Sequence, residues 1–277
     1  MLPRSYLFVP ADRPDRFDAA AESGADAIIL DLEDGTAWTE KDRARDAVHE
    51  WLLKGHPEGI EVWVRVNGGD LLRDDLDASF GADGVFLPKI QGPGTIEDVA
   101  AYVDGNLKII GMIETARALL RCEQIGGHDA VTGLMIGEFD LAADLGMRYD
   151  TMGRELDAAR LKVVTVSAAY GLRPAIAGIE PSVTDLDRIR RGTEHMATIG
   201  FGARGCVHQV QVDIVNEVFQ PDEESVVEAK DLVARYERAK AIGSGVFLNV
   251  HGRVMDESNV RHARQVLELA DHPLDEE

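Results

Sequence analysis

Cysteine is almost missing from this sequence. Cys122 and Cys206 are the only two in 277 residues, which excludes a disulfide scaffold and fits a reducing compartment. A basic surplus is missing as well: 29 Lys and Arg stand against 50 Asp and Glu, a formal charge of −21. Nothing is left over to neutralise nucleic-acid phosphates or an anionic membrane, although a few local Arg and Lys residues still serve a small anion. No apolar run approaches the roughly 20 residues of a membrane span, and the opening Met1-Leu2-Pro3-Arg4-Ser5 lacks the apolar stretch of a signal peptide. These absences predict a cytoplasmic protein with neither nucleic acid nor membrane as partner. The histidines are scattered with no His-x-x-x-His spacing, and apart from Pro221 there is no strong linker and no low-complexity segment.

What is present is alternation. Short apolar runs begin at Tyr6, Ala27, Glu61, Gly84, Lys108, Gly133, Arg173 and Gly205, and helical stretches follow each of them. Runs of this kind read as buried parallel strands. Eight strand–helix steps predict an α/β protein, a (β/α)₈ TIM barrel, over an open doubly wound sheet. The barrel is expected over residues 1–221. Residues 222–277 are expected to form a C-terminal helical extension, with helices at about 222–242 and 259–270, that covers a barrel mouth or lies on a neighbouring subunit.

In such a barrel, chemistry sits at the C-terminal strand ends. Those positions hold Pro10, Glu33, Asp34, Arg65, Asn67, Lys89, Glu114 and Asp140. Carboxylates crowded on one face need a cation or a proton. Glu114 and Asp140 can ligate one Mg²⁺, with Glu33 or Asp34 holding a water of that ion; the plainer alternative is that both cap the helices that follow. Arg65 suits a substrate carboxylate or a developing enolate oxygen, or else is an ordinary ion-pair partner. Lys89 and Asp34, together with Arg4, are expected to contact substrate. Gly200-Phe201-Gly202-Ala203-Arg204-Gly205 fits G-x-G-x-x-G but follows a helix late in the chain, against a dinucleotide fingerprint.

Six ordered motifs carry a resemblance: Arg4-Ser5-Tyr6-Leu7-Phe8-Val9-Pro10, Leu30-Asp31-Leu32-Glu33-Asp34, Arg65-Val66-Asn67, Leu87-Pro88-Lys89, Ile113-Glu114-Thr115-Ala116 and Gly137-Glu138-Phe139-Asp140-Leu141. Together they resemble the HpcH/HpaI aldolase–citrate lyase superfamily, in its citrate-lyase-β-like and malyl- or citramalyl-CoA lyase branch. The resemblance implies a TIM barrel, Mg²⁺ on Glu114 and Asp140, an acyl-CoA and a 2-keto acid as small-molecule substrates, and reversible C–C cleavage. It implies that Arg65 polarises the thioester oxygen and that Asp256 is a proton shuttle closing over a neighbour's site, hence a homotrimer or hexamer. Glu33 joins Arg65 and Asp256 in the expected catalytic set, although a surface Asp before a helix is an equally good reading of Asp256. Departures at Ala19, Ala177 and Gln209 put the CoA contacts in question, with Arg204 keeping a positive charge near the eighth strand. The rival readings are a malyl-CoA-type thioesterase, a CoA-independent pyruvate aldolase of the same superfamily, and a non-catalytic assembly subunit.

Overall fold

The computed structural model describes residues 2–105, 107–150 and 152–270. Eight parallel strands close on themselves in sequence order: β1 (Ser5–Pro10), β2 (Ala27–Asp31), β3 (Glu61–Arg65), β4 (Gly84–Leu87), β5 (Lys108–Ile113), β6 (Val131–Ile136), β7 (Ile176–Ala177) and β8 (Ala203–Cys206), with β8 pairing back to β1. The helices between them are α1 (Phe17–Ala21), α2 (Lys41–Leu53), α3 (Leu72–Ala78), α4 (Pro93–Val103), α5 (Ala116–Leu120), α6 (Cys122–Gly126), α7 (Glu138–Asp144), α8 (Asp157–Ala169) and α9 (Leu186–Ile199), followed by α10 (Val212–Phe219). This is the (β/α)₈ barrel that the alternation predicts.

The strands read as apolar runs because both faces are covered, one by the barrel interior and one by helices. The interior is filled by Tyr6, Ala27, Ile29, Trp63, Phe86, Ile110, Met112, Met135, Ile176 and Ala203. Phe86 stands edge-on to Tyr6 and Trp63 at 5.6 and 5.5 Å between ring centroids, favoured aromatic geometry. Side chains alternate along a strand. Since Ala27 and Ile29 face inward, so does Asp31; Trp63 leads to Arg65, and Met112 to Glu114. The polar mouth is therefore the next layer of the same pattern.

Three details differ from the sequence expectation. β7 has two residues rather than five, because Pro174 has no N–H to give a ladder and Arg173 turns its side chain to Glu61, with Nη1–Oε2 at 2.6 Å. The expected helix over 116–125 breaks at Arg121 into α5 and α6. Asp140 does not end a strand; it lies in the first turn of α7.

The chain divides into two compact units, Leu2–Glu217 and Val218–Glu277. Within the second, α11 (Glu223–Ala241) packs with α12 (Glu257–Ala270), and β9 (Phe247–Leu248) pairs antiparallel with β10 (Val254–Met255). Asp222 begins α11 by accepting a 2.7 Å bond from the Ser225 N–H. Among the described residues no helix is long and apolar enough to cross a membrane.

Candidate active site

A cavity of ≈ 350 Å³ opens at the C-terminal strand ends, and Asp31, Asp34, Arg65, Glu114 and Asp140 all line it. Its floor is the topmost interior layer, with Phe8, Met112, Met135 and Ile179.

Arg65 is held by a carboxylate the sequence reading passed over. Asp31 takes its Nε at 2.6 Å and Nη2 at 2.5 Å, and Glu33 takes Nη1 at 3.1 Å. The guanidinium also lies over the Phe8 ring, 5.1 Å from the centroid. Burial alone would lower its pKa, but the neighbouring Asp31, then Glu33 and Asp34, outweigh it and raise it. Asp31 is fixed in turn by the Glu33 and Gly35 N–H groups at 3.0 and 2.9 Å. A Cβ on Gly35 would collide with the Asp31 carboxylate, so only glycine lets the loop close there. Beneath it the buried Lys41 ammonium donates to the Glu33 carbonyl at 2.6 Å and to Asn67 Oδ1 at 3.0 Å, as well as to the Leu32 carbonyl. Asn67, expected among the strand-end candidates, is a structural brace: it donates 2.8 Å to the Leu32 carbonyl and 2.7 Å to Asp75.

Glu114 follows β5 and is 2% exposed. Its Oε1 accepts the Lys89 N–H at 2.5 Å. Lys89 makes that bond from a left-handed backbone, φ 52°, a conformation that costs a non-glycine residue roughly 1–3 kcal/mol and is concentrated at functional sites. Its ammonium is bonded to Glu33 and lies 3.4 Å from Asp34, so in this state it neutralises carboxylates. Burial pushes the Glu114 carboxyl up to about 7; the Lys89 bond opposes this, and the charges of Asp140 and Glu33 add to it. Burial likewise raises Glu33 beyond what Arg65 and Lys89 take back.

Capping does not account for either acidic residue. Thr115, not Glu114, is the N-cap of α5, accepting from the Ala118 N–H at 3.0 Å. α7 starts from Gly137, and Asp140 is exposed within its first turn. Gly137 leaves room for the Glu114 side chain, since a Cβ there would stand 2.5 Å from its Oε2. Two carboxylates face one cavity, one of them buried with an unspent oxygen, and this donor set suits a hard divalent cation. Among the described residues no three His, Cys, Asp or Glu side chains form a ready-made cage. A divalent ion held by Glu114 and Asp140 would draw its remaining ligands from water and substrate oxygens, as Mg²⁺ commonly does.

Glu138 is a second residue the sequence reading missed. It shares α7 with Asp140 and is buried against Arg160, whose Nε meets Oε1 at 2.5 Å, while the Tyr149 hydroxyl donates to Oε2 at 2.7 Å. Arg160 also holds the Gly153 carbonyl and Asp157 at 2.8 Å each. This pair anchors the short helix that carries Asp140. The i, i+2 acidic spacing was visible in the sequence, but its partner lies 22 residues away on α8. Replacing Arg160 by Met strands a buried carboxylate and is expected to cost about 3–5 kcal/mol, read as a fall in the urea midpoint. A loss below about 1 kcal/mol would contradict that anchoring role.

Arg4 and Arg204 do not line this cavity. Arg4 precedes β1 at the opposite end of the barrel and is ion-paired with Asp26, Nε–Oδ2 2.8 Å, so the expected substrate contact is corrected: strand direction places it away from the mouth. Arg204 is buried between β8 and α9, donating to the Gly178 carbonyl at 3.0 Å and Thr193 at 2.9 Å, and does not present its charge to a ligand. Asp256 belongs to the second unit and accepts from the Ser258 N–H at 2.9 Å and hydroxyl at 2.5 Å. Those bonds hold its carboxyl below the usual range.

Known proteins resemble this chain in sequence and fold. The sequence profile of the HpcH/HpaI aldolase/citrate lyase family matches residues 4–209. A (3S)-malyl-CoA thioesterase of Cereibacter sphaeroides is 33% identical, the match covering 97% of this chain and 94% of that protein. The citrate lyase subunit beta of Leuconostoc mesenteroides is 28% identical over 100% and 96%. Among solved structures, protein CitE of Mycobacterium tuberculosis, in complex with magnesium, acetoacetate and coenzyme A, superposes with a TM-score of 0.80 at 28% identity, covering 98% of this chain and 99% of that one.

Proposed function

This chain belongs to the HpcH/HpaI aldolase/citrate lyase family, and on that premise we propose that it is a Mg²⁺-dependent carbon–carbon lyase. It cleaves a 3-hydroxyacyl-CoA reversibly into an acyl-CoA and a 2-keto acid. The observation that carries the reading is that Arg65, Glu114 and Asp140 line one cavity while Glu114, without a cation, has its carboxyl pushed up to about 7.

The cleavage removes the proton of the C3 hydroxyl and turns that C–O bond into a carbonyl. It breaks the C2–C3 bond and leaves the electron pair on the thioester enolate, which then takes a proton at C2. Magnesium, when held by Glu114 and Asp140, supplies Lewis-acid polarisation of the keto-acid oxygens. Arg65 faces the other half. Three bonds to carboxylates leave two of its five N–H donors for the thioester oxygen, where negative charge grows. Asp31 fixes the orientation of that fork, so the donors are in place before the reaction begins. Glu33, Asp34 and Lys89 form the polar rim that orders water and substrate oxygens. Asp256 of a neighbouring copy is the proton donor to C2 in this reading, which makes the working unit a homotrimer or hexamer, and the setting is the cytoplasm. Asp256→Asn is then expected to cut kcat about 10²-fold or more with magnesium affinity intact, measured by kinetics beside calorimetric titration; unchanged kcat would remove Asp256 from the scheme.

A second reading, thioester hydrolysis, is favoured by the similarity to the malyl-CoA thioesterase. The reverse reaction separates the two, because a hydrolase forms no C–C bond. Incubating acetyl-CoA or propionyl-CoA with glyoxylate or pyruvate and Mg²⁺ is expected to yield hydroxyacyl-CoA, abolished by EDTA. Absence of condensation beside rapid release of free thiol from malyl-CoA would transfer the proposal to the hydrolase.

Acid weakens the metal site in this account. The Glu114 pKa lies at about 7, so below that pH a proton competes with the cation. Magnesium affinity is expected to fall about tenfold per pH unit below 7, measured by titration between pH 8 and 5.5. A flat profile over that range would take Glu114 out of the metal site.

A further inference from the structure

Resting on the lyase reading, we infer that Lys41 is a positioning residue for Arg65: it fixes the backbone of Leu32 and Glu33, and through Glu33 it sets where the free edge of the Arg65 guanidinium points. The reaction scheme gives this side chain no part, yet it is a charged group only 7% exposed. Its ammonium donates to the Glu33 carbonyl at 2.6 Å, to Asn67 Oδ1 at 3.0 Å and to the Leu32 carbonyl. All three of its donors are thereby spent, and none of these bonds goes to a carboxylate. Burial holds its pKa below the usual lysine value, although Asp31, Asp75, Glu33 and Asp34 pull the other way. Burying an ammonium on neutral acceptors costs free energy that a methionine in the same space would not.

The loop after β2 shows what that charge does. The Glu33 and Gly35 N–H groups run to Asp31 at 3.0 and 2.9 Å, on the same two oxygens that hold Arg65. The Leu32 and Glu33 carbonyls run to Lys41. One short stretch of backbone is thus clamped by an anion on its donors and a cation on its acceptors. From it the Glu33 side chain reaches Arg65 Nη1 at 3.1 Å and the Lys89 ammonium. Lys41 is itself held in place. Asn67, which accepts from it, donates to Asp75 Oδ2 at 2.7 Å, and Asp75 Oδ1 takes Arg45 Nε at 2.7 Å, one turn along α2 from Lys41. This circuit begins and ends on α2, so the loop is tied to the helices of the barrel as well as to Asp31. Folding depends on the ammonium less than the aim of Arg65 does. Without it the Leu32 carbonyl keeps the Asn67 Nδ2 donor at 2.8 Å, and the Glu33 carbonyl keeps the Thr36 N–H at 3.1 Å.

Lys41→Met is therefore expected to fold and to lower kcat for malyl-CoA or citramalyl-CoA cleavage by about 10–100-fold, the scale of a misplacement of roughly 1 Å. KM is expected to change by less than about threefold. A double variant separates aim from general support. Added to Arg65→Lys, Lys41→Met is expected to cost less than about threefold more, because the fork it positions is already gone. An equal loss in both backgrounds, or a single variant within about threefold of wild type, would overturn the inference. Should Lys41→Met fail to fold, Lys41→Gln, which keeps an amide donor but not the reach to all three acceptors, enters the same cycle with the same outcomes. A crystal structure of the folded variant gives a readout free of turnover. Glu33 Oε2 is expected to leave Arg65 Nη1, and an unmoved pair would also overturn the positioning role. Wild-type protein that cleaves neither thioester, beside a displaced pair in the variant, would remove the lyase reading and leave the positioning of Arg65 standing.

Discussion

Arg65→Lys is expected to lower kcat by about 10²–10³-fold, the scale on which a preorganised oxyanion donor acts, with the protein still folded and its metal affinity kept. Lysine preserves the charge that Asp31 and Glu33 need, so the buried carboxylates are not stranded. What it loses is the planar fork. In the native protein Asp31 grips two edges of that fork at 2.6 and 2.5 Å and Glu33 a third, which aims the remaining N–H groups at the cavity. An ammonium satisfied by the same acids has no fixed donor left for the thioester oxygen. Because the interaction strengthens as the enolate forms, the loss falls on kcat more than on KM. Steady-state kinetics beside a thermal melt checks this. A kcat within about threefold of wild type would mean that Arg65 is a structural partner of Asp31 only.

On the proposed function, Glu114→Gln is expected to remove a metal ligand while keeping the side chain's shape. Magnesium affinity is expected to fall at least about 100-fold and turnover about 10³-fold. The same variant carries an opposite signature in the metal-free protein. The folded pKa of Glu114, about 7, lies above its ordinary value of 4.5, so its ionised form disfavours the fold. The group's contribution to stability is full below its unfolded pKa and is lost as pH rises through 7; the difference corresponds to about 3 kcal/mol at pH 8. Glutamine is neutral throughout. Metal-free Glu114→Gln is therefore expected to melt at least as high as wild type at pH 8, and added Mg²⁺ to raise the melting point of wild type alone. Equal stabilisation of both proteins by Mg²⁺ would place the cation elsewhere.

Much of this was legible in the sequence, for a physical reason. Barrel strands are covered on both faces, so they appear as apolar runs, and the residue that ends each run is where chemistry emerges. That logic led to Arg65 and Glu114 directly. It led to Asp140 with the wrong local structure, since Glu138–Asp144 already forms a helical turn. Asp31 was passed over because it sits inside a strand as its last residue, while Glu33 and Asp34 follow in the loop. Counting inward positions from Ala27 and Ile29 would have found it. Glu138 with Arg160, and Lys41 beneath the Glu33 loop, depend on partners in other elements, which local pattern does not encode. Arg4 was misplaced by treating a motif as a unit: Arg4 and Pro10 bracket one strand and so lie at opposite ends of the barrel.

The most direct test of the account is cleavage of malyl-CoA and citramalyl-CoA by the Mg²⁺-loaded protein, with 2-keto acid and free thiol counted in the same reaction. The account predicts one keto acid and one intact acyl-CoA per substrate consumed, with thiol release negligible and both products lost in Glu114→Gln. Thiol appearing in step with substrate loss, without keto acid, would contradict it.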